Sequence, residues 1–160
     1  MSAAEQLHTE PARVLLMRGS FDTLKEQAGA TYDSITFAEI EAMAREPATA
    51  EKKRAPCAIF STYLAHDGRT HKVQAEQGQY IALPGDIDQG NPHIADVDAA
   101  IVAVYGNVRR RIYSTASATP VNRKWRFIIE LAAPIPGEIY ASMQLAAFSL
   151  MREQGITCDP

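Results

Sequence analysis

The sequence predicts an α+β domain, and three observations carry that prediction. Short apolar runs of strand length recur along the chain, as at Arg13 to Arg18 and Tyr80 to Leu83. Longer segments, such as Ile94 to Tyr105, repeat apolar residues at helical spacing. From Tyr80 onward the segments follow the order strand, helix, strand, strand, helix. Composition agrees: 160 residues, 46% hydrophobic and 22% charged, describe one ordinary globular domain.

Taken in chain order, RVLLMR (Arg13 to Arg18) reads as a strand and Gly19 to Asp33 as loop. Thr36 is placed to cap a helix, because Glu39 stands three residues on in the capping-box spacing. Phe37, Ile40 and Met43 or Ala44 then share a helical face, and Pro47 ends the helix. EKKRAP (Glu51 to Pro56) is a charged loop, and CAIFSTYL (Cys57 to Leu64) is strand-like. Asp67-Gly68 marks a turn. Val73 to Leu83 is expected to hold the next strand, clearest at Tyr80 to Leu83.

Pro84-Gly85-Asp86-Ile87-Asp88 follows that strand. The helix Ile94 to Tyr105 carries Ile94, Val97, Ile101 and Val104 on one stripe. Arg109 to Ser114 and Lys124 to Leu131 are strands. In the second, Lys124, Arg126 and Ile128 share one face and Trp125, Phe127 and Ile129 the other. The basic face is expected to be open and Trp125 and Phe127 to be buried. Ile139 to Gln154 is a helix ended by Gly155, with Ile139, Met143, Ala146, Ala147 and Leu150 expected on its core face. The order from Tyr80 is a ferredoxin-like (RRM-like) βαββα(β) unit short of its last strand, preceded by a small α/β N-terminal part. Residues 1–160 are therefore expected to form a single domain, the N-terminal fragment of a longer protein.

Charge and cysteine usage narrow the function classes. The net charge of -3 argues against a broadly basic nucleic-acid grip, though not against a local basic stripe. Cys57 and Cys158 form no disulfide framework, which predicts a cytoplasmic chain. No apolar run approaches the roughly 20 residues of a membrane span. His66, His71 and His93 offer no zinc spacing, and glycine-rich phosphate loops are absent.

Two clusters can carry chemistry. Asp86 and Asp88 sit two apart at a strand end, so their carboxylates point to one side. They repel unless a cation lies between them, and hard oxygen ligands suit Mg²⁺ or Mn²⁺. A solvated turn is the plain alternative. Asp96 and Asp98 are a useful contrast, since on a helix two such carboxylates diverge by about 200°. The second cluster is YSTASATPVNRKWR (Tyr113 to Arg126), a hydroxyl-rich turn beside a basic strand face, or simply a hairpin loop.

In their order, these features resemble the archaeo-eukaryotic primase superfamily, in particular its phage- and plasmid-borne primase-polymerase domains. Members carry an acidic h-D-h-D motif at a strand end, here Gly85-Asp86-Ile87-Asp88. A serine-rich strand follows, here Tyr113 to Pro120, then a basic strand, here Lys124-Trp125-Arg126, then a third acid after a long helix, here Asp159. The resemblance runs from about Tyr80 to the chain end, with a looser echo at Thr36 to Lys53.

It implies metal-dependent nucleotidyl transfer in DNA replication. Asp86, Asp88 and Asp159 would be catalytic and would hold Mg²⁺ or Mn²⁺; Ser114, Ser117, Lys124 and Arg126 would bind the nucleotide. Nucleoside triphosphates and a DNA template are the implied partners, with a helicase domain or replication protein beside them and no membrane. Ala118 stands where members carry the histidine that contacts triphosphate. The competing expectation is therefore a catalytically weakened domain kept to bind nucleic acid or a replication partner.

Overall fold

The computed structural model describes residues 10–48 and 50–159. Its fold is α+β, with two three-stranded antiparallel sheets and four helices. The N-terminal sheet has the order β2-β1-β3, from β1 (Arg13–Met17), β2 (Asp33–Thr36) and β3 (Cys57–Ile59). Helix α1 (Phe37–Arg45) leaves β2 directly, and the expected capping box forms: Thr36 Oγ1 accepts from Glu39 N–H at 3.2 Å while Glu39 Oε2 accepts from Thr36 N–H at 2.7 Å.

The C-terminal sheet has the order β4-β6-β5, from β4 (Gln79–Ile87), β5 (Arg110–Ser114) and β6 (Trp125–Pro136). Helix α3 (Ile94–Tyr105) connects β4 to β5, and α4 (Gly137–Glu153) follows β6. Both helices cover one face, where Val97, Ile101, Phe148 and Met151 pack on Leu83, Ile87, Phe127 and Ile129. The other face carries Ile128 and Ala82 against Val14, Ile35 and Phe60 of the N-terminal part. A register shift between Tyr80 and Ala82 turns Ile81 to this side as well. The C-terminal sheet is thus the middle of three layers, and β6 is apolar without a break at Phe127-Ile128-Ile129 because each of its faces meets a different core.

Four expectations need correction. Val73 lies in a helix, α2 (His71–Gln77), not in a strand. The buried Gln74 side chain pins that helix by donating to the Tyr63 carbonyl at 3.2 Å and the Gly68 carbonyl at 2.6 Å, both distant partners. The strand expected over Cys57 to Leu64 stops at Ile59, because the chain then crosses to β4: Phe60 carbonyl accepts from Ile81 N–H at 2.9 Å and Thr62 N–H donates to Gln79 carbonyl at 3.0 Å.

On α4 the core face is Tyr140, Ala147, Phe148 and Met151, and the expected stripe of Ile139, Met143 and Leu150 is exposed; only Ala147 was rightly placed. The helix is apolar on two sides, and the side bearing both aromatics is the one buried. On β6, Phe127 is buried and Trp125 partly so, as expected, but the opposite face is not open. Ile128 is buried beneath the N-terminal sheet, and Arg126 is half-covered.

β4's outer edge, away from β6, is occupied in pieces. Residues 60–62 hold its start. Pro84 has no N–H to offer, and its carbonyl accepts from Gln144 Nε2 of α4 at 3.1 Å. Near its end, Asp86 carbonyl accepts from Asp159 N–H at 2.8 Å. No helix among the described residues is long and apolar enough to cross a membrane.

Candidate nucleotide and metal site

The site is built on the paired ends of β4 and β6. Asp86 lies opposite Arg126, and Ile87 opposite Trp125. The register is held from below by Gly85 and Phe127: a Cβ on residue 85 would run into the Phe127 ring, 2.5 Å from Cε1. Only glycine lets the ring sit under the strand. Because Asp86 turns its carbonyl outward to Asp159, its pair with Arg126 is the non-hydrogen-bonded kind, in which cross-strand side chains approach most closely.

The side chains use that approach. Arg126 grips Asp86 with two parallel bonds, Nε to Oδ1 and Nη2 to Oδ2, the second at 2.6 Å. This fork is the strong form of charge-assisted hydrogen bond. It raises the guanidinium's hold on its proton above the usual arginine range, against the opposing effect of burial. Tyr113 of β5 lies across from Arg126 on its other side, and burial pushes its phenol up. One step along, Lys124 Nζ stands 3.7 Å from Asp88 Oδ1, an ion pair without a hydrogen bond's reach. Asp86 in β4 thus meets Arg126 of β6, and Asp88, just past the end of β4, meets Lys124, just before the start of β6.

The stretch after Asp88 is fixed by the same strand's approach. Gly90 and Asn91 both take left-handed backbone (φ 78° and 49°), the sharp turn that small and Asn residues allow. Arg123 then clamps the turn, donating from Nη2 to the Asn91 carbonyl at 2.6 Å and from Nε to the Pro92 carbonyl at 3.0 Å. Trp125 Nε1 donates to the same Pro92 carbonyl at 3.0 Å.

Asp159, distant in sequence, arrives beside Asp86 through the main-chain bridge. It makes no ion pair among the described residues. Its neighbour Cys158 is half-buried; burial, helped by the carboxylates of Asp159 and Asp86, pushes the thiol up to about 12.

Asp86, Asp159 and Arg126 are therefore brought together, with Asp88 and Lys124 one position along. Ser114 and Ser117 are not joined to them. Both are exposed, and alternation along β5 turns Ser114 to the face opposite Tyr113. Ser117 lies in the turn that Ala118 N–H closes onto Thr115 carbonyl at 3.0 Å. Within that turn the Thr115 hydroxyl is buried with no hydrogen-bond partner. Asp96 and Asp98 diverge as the helical spacing requires, one bonding the His93 N–H and the other Arg110.

Sequence reading missed Tyr113, Arg123 and Asn91. Tyr113 had a signal, since strand alternation puts it on Arg126's face. The Arg123 clamp had none, because it depends on the loop after Asp88 folding back onto β6.

A hard divalent ion fits this donor chemistry, three carboxylates at one sheet end. It does not fit the side chains as they stand. Both Asp86 oxygens are engaged, and no three Asp, Glu, His or Cys side chains among the described residues converge as a metal-holding group. Comparison with known proteins finds no matching family model, no matching curated protein and no matching solved structure.

Proposed function

We propose that this chain is a nucleotidyltransferase domain of the primase-polymerase type, adding nucleotides against a DNA template in phage or plasmid replication. The observation that carries the reading is the bridge that sets Asp159 beside Asp86. Sequence order alone left that adjacency open. In a ferredoxin-like βαββαβ unit the last strand lies beside the first, and the order β4-β6-β5 with Asp159 on β4's far edge supports that architecture.

In this reading Asp86, Asp88 and Asp159 are the acids that would hold Mg²⁺ or Mn²⁺ once Asp86 is released from Arg126, and the ion would supply charge stabilisation for phosphoryl transfer. The chain's own residues do the rest. Arg126 and Lys124 present cations on the acids' own face and bind the triphosphate of the incoming nucleotide. Ser117 borders the nucleotide as a hydroxyl donor from the turn, whereas Ser114, on the other face of β5, does not reach it. Tyr113 backs Arg126, and Arg123 fixes the loop that carries Asp88. The site would act in the cytoplasm, in company with a helicase domain or replication protein.

A second reading is favoured by one observation. Arg126 neutralises Asp86, and Ala118 replaces the expected triphosphate contact. Both suit a domain that has kept binding and lost turnover.

Primer extension on single-stranded DNA with Mn²⁺ separates the readings. Incorporation that disappears in the Asp86→Asn, Asp88→Asn double variant is the expected result. Incorporation that survives the double variant overturns the assignment of the acids. No incorporation, together with nucleotide binding by calorimetry, selects the second reading.

A further inference from the structure

We infer that two turns of the N-terminal part, residues 19–22 and 51–54, form a platform for single-stranded nucleic acid, with Phe21 as the face on which a base stacks and Lys52, Lys53 and Arg54 as the phosphate contacts. The inference goes beyond the proposed activity and holds for either reading of it, because the platform uses none of the acids at the end of β4.

Each turn closes on a backbone bond. Asp22 N–H donates to the Gly19 carbonyl at 3.0 Å, and Arg54 N–H to the Glu51 carbonyl at 2.8 Å. The corner residues are Ser20 and Phe21 in the first turn and Lys52 and Lys53 in the second. The turns are locked to each other. Lys53 carbonyl accepts from Ser20 N–H at 3.3 Å, and a Cβ on Gly19 would stand 2.6 Å from the same oxygen. Arg69 holds the first turn as well, donating to the Ser20 carbonyl at 2.8 Å and the Asp22 carbonyl at 3.0 Å, so the residues on both sides of Phe21 are fixed.

On this constrained turn Phe21 is 71% exposed. A ring left in water contributes nothing to the core, whereas an aromatic face already set in place loses little freedom when a base stacks on it. The cations beside it are also uncommitted. Lys52 and Lys53 are exposed and make no ion pair among the described residues, and Arg54 reaches Glu51 only at 3.8 Å. Asp22 and Asp33, the acids nearest in this part, are turned to Arg18, one to its main-chain N–H and the other to its guanidinium.

The pattern selects its ligand. Paired bases already stack on one another, so a free aromatic face suits an unpaired strand. A strand is also thin enough to touch these cations and miss the rest of a chain whose net charge is -3. A flat anionic lipid surface would meet that charge, and a single ring with no second exposed apolar side chain in either turn inserts weakly.

Fluorescence anisotropy of labelled oligothymidylate of about 12 nucleotides tests the platform on the full chain, in EDTA and without nucleoside triphosphate. Failure of primer extension then leaves a positive result standing, and failure here leaves the acids untouched. The wild type should bind, with log K falling against log salt at a slope of about -2, as three phosphate contacts on a single strand give. Phe21→Ala should weaken binding about tenfold and keep that slope. Lys52→Gln combined with Lys53→Gln should weaken binding and flatten the slope to about -1. Oligouridylate should bind as well, and the tighter of the two strands identifies the natural ligand as DNA or RNA. A blunt duplex should bind less tightly. Phe21→Trp keeps the test independent of how the alanine variant folds: its emission should be quenched by oligothymidylate beyond any quenching of Trp125 in the wild type.

No binding by the wild type, affinity unchanged in the Phe21 and lysine variants, equal affinity for the duplex, or emission from position 21 that the strand leaves unaltered overturns the inference. Binding to phosphatidylserine vesicles in place of the oligonucleotides overturns it in favour of a membrane surface.

Discussion

Adding a single methyl group at Gly85 should destabilise the whole domain and displace the acid group with it. The perturbation is Gly85→Ala. Its Cβ would meet Cζ of Phe127 and lie 2.5 Å from Cε1, and Phe127 is fully buried with no slack around it. Gly85 is not in the left-handed region, so the backbone does not object. On that ground alone the change would stabilise by about 0.4–1 kcal/mol, through the unfolded chain. Overpacking works against this at about 1–3 kcal/mol, and the backbone-held ring decides the sign. For a chain of this size the net loss corresponds to a fall in Tm of up to about 10 °C, read by circular dichroism.

Phe127→Leu in the same background should restore part of it, because the two side chains share one space. The double variant should be more stable than the sum of the singles by about 0.5–3 kcal/mol. A Tm for Gly85→Ala at or above the wild-type value, or strict additivity in the double variant, would refute the packing argument. The register that sets Asp86 opposite Arg126 would then need another cause.

Three further outcomes follow from the structure. Thr36→Ala should cost about 1 kcal/mol in urea unfolding, since it removes the oxygen that caps α1 and leaves Glu39 only the backbone N–H and Arg13 as partners. Stability should fall with acid. Glu39, Glu41 and Asp98 are held below the ordinary carboxylate range, chiefly by hydrogen bonds from Thr36, Arg111 and Arg110 respectively. A carboxyl depressed in this way binds fewer protons folded than unfolded. Its contribution is whole above the unfolded value of about 4 and drains away as pH drops through the folded one. Urea midpoints from pH 7 to pH 3 should therefore decline, less steeply in Glu41→Gln; an equal slope would remove Glu41 from the account. Finally, Ala118→His should strengthen nucleotide binding in calorimetry by adding a phosphate donor to the turn, and an unchanged affinity would mean the turn does not reach the nucleotide.

The parts of the fold that announce themselves in sequence are those governed by local chemistry. The Thr36–Glu39 box and the Ile94 to Tyr105 helix need only neighbours within a turn or two, and both stand as read. Helix α2 fails that criterion. Its one buried side chain, Gln74, is polar, and its amide nitrogen donates to carbonyls six and eleven residues back in the preceding loop while its Oε1 has no partner. The face of α4 was ambiguous for a different reason, because two apolar stripes compete and only the tertiary partner, the sheet bearing Phe127 and Ile129, chooses between them. At the site, the place of Asp86 and Asp88 at a strand end was legible from the apolar run before them. Their pairing with Arg126 and Lys124 was not, because it depends on the β4–β6 register, which is set by the close packing of Gly85 and Phe127.

The piecemeal covering of β4 has a consequence for how molecules of this protein behave toward each other. An edge strand of nine residues is a standing template for another chain's backbone, and an unbroken one invites aggregation. Here a would-be intruder meets residues 60–62 at one end and Asp159 at the other. In the short gap between them, Pro84 offers no donor and its carbonyl is taken by Gln144. The proline that looks out of place inside a strand is what keeps the acid-bearing edge of the sheet from recruiting a neighbour, so the acids can sit at an open, solvent-reached edge without making the protein sticky.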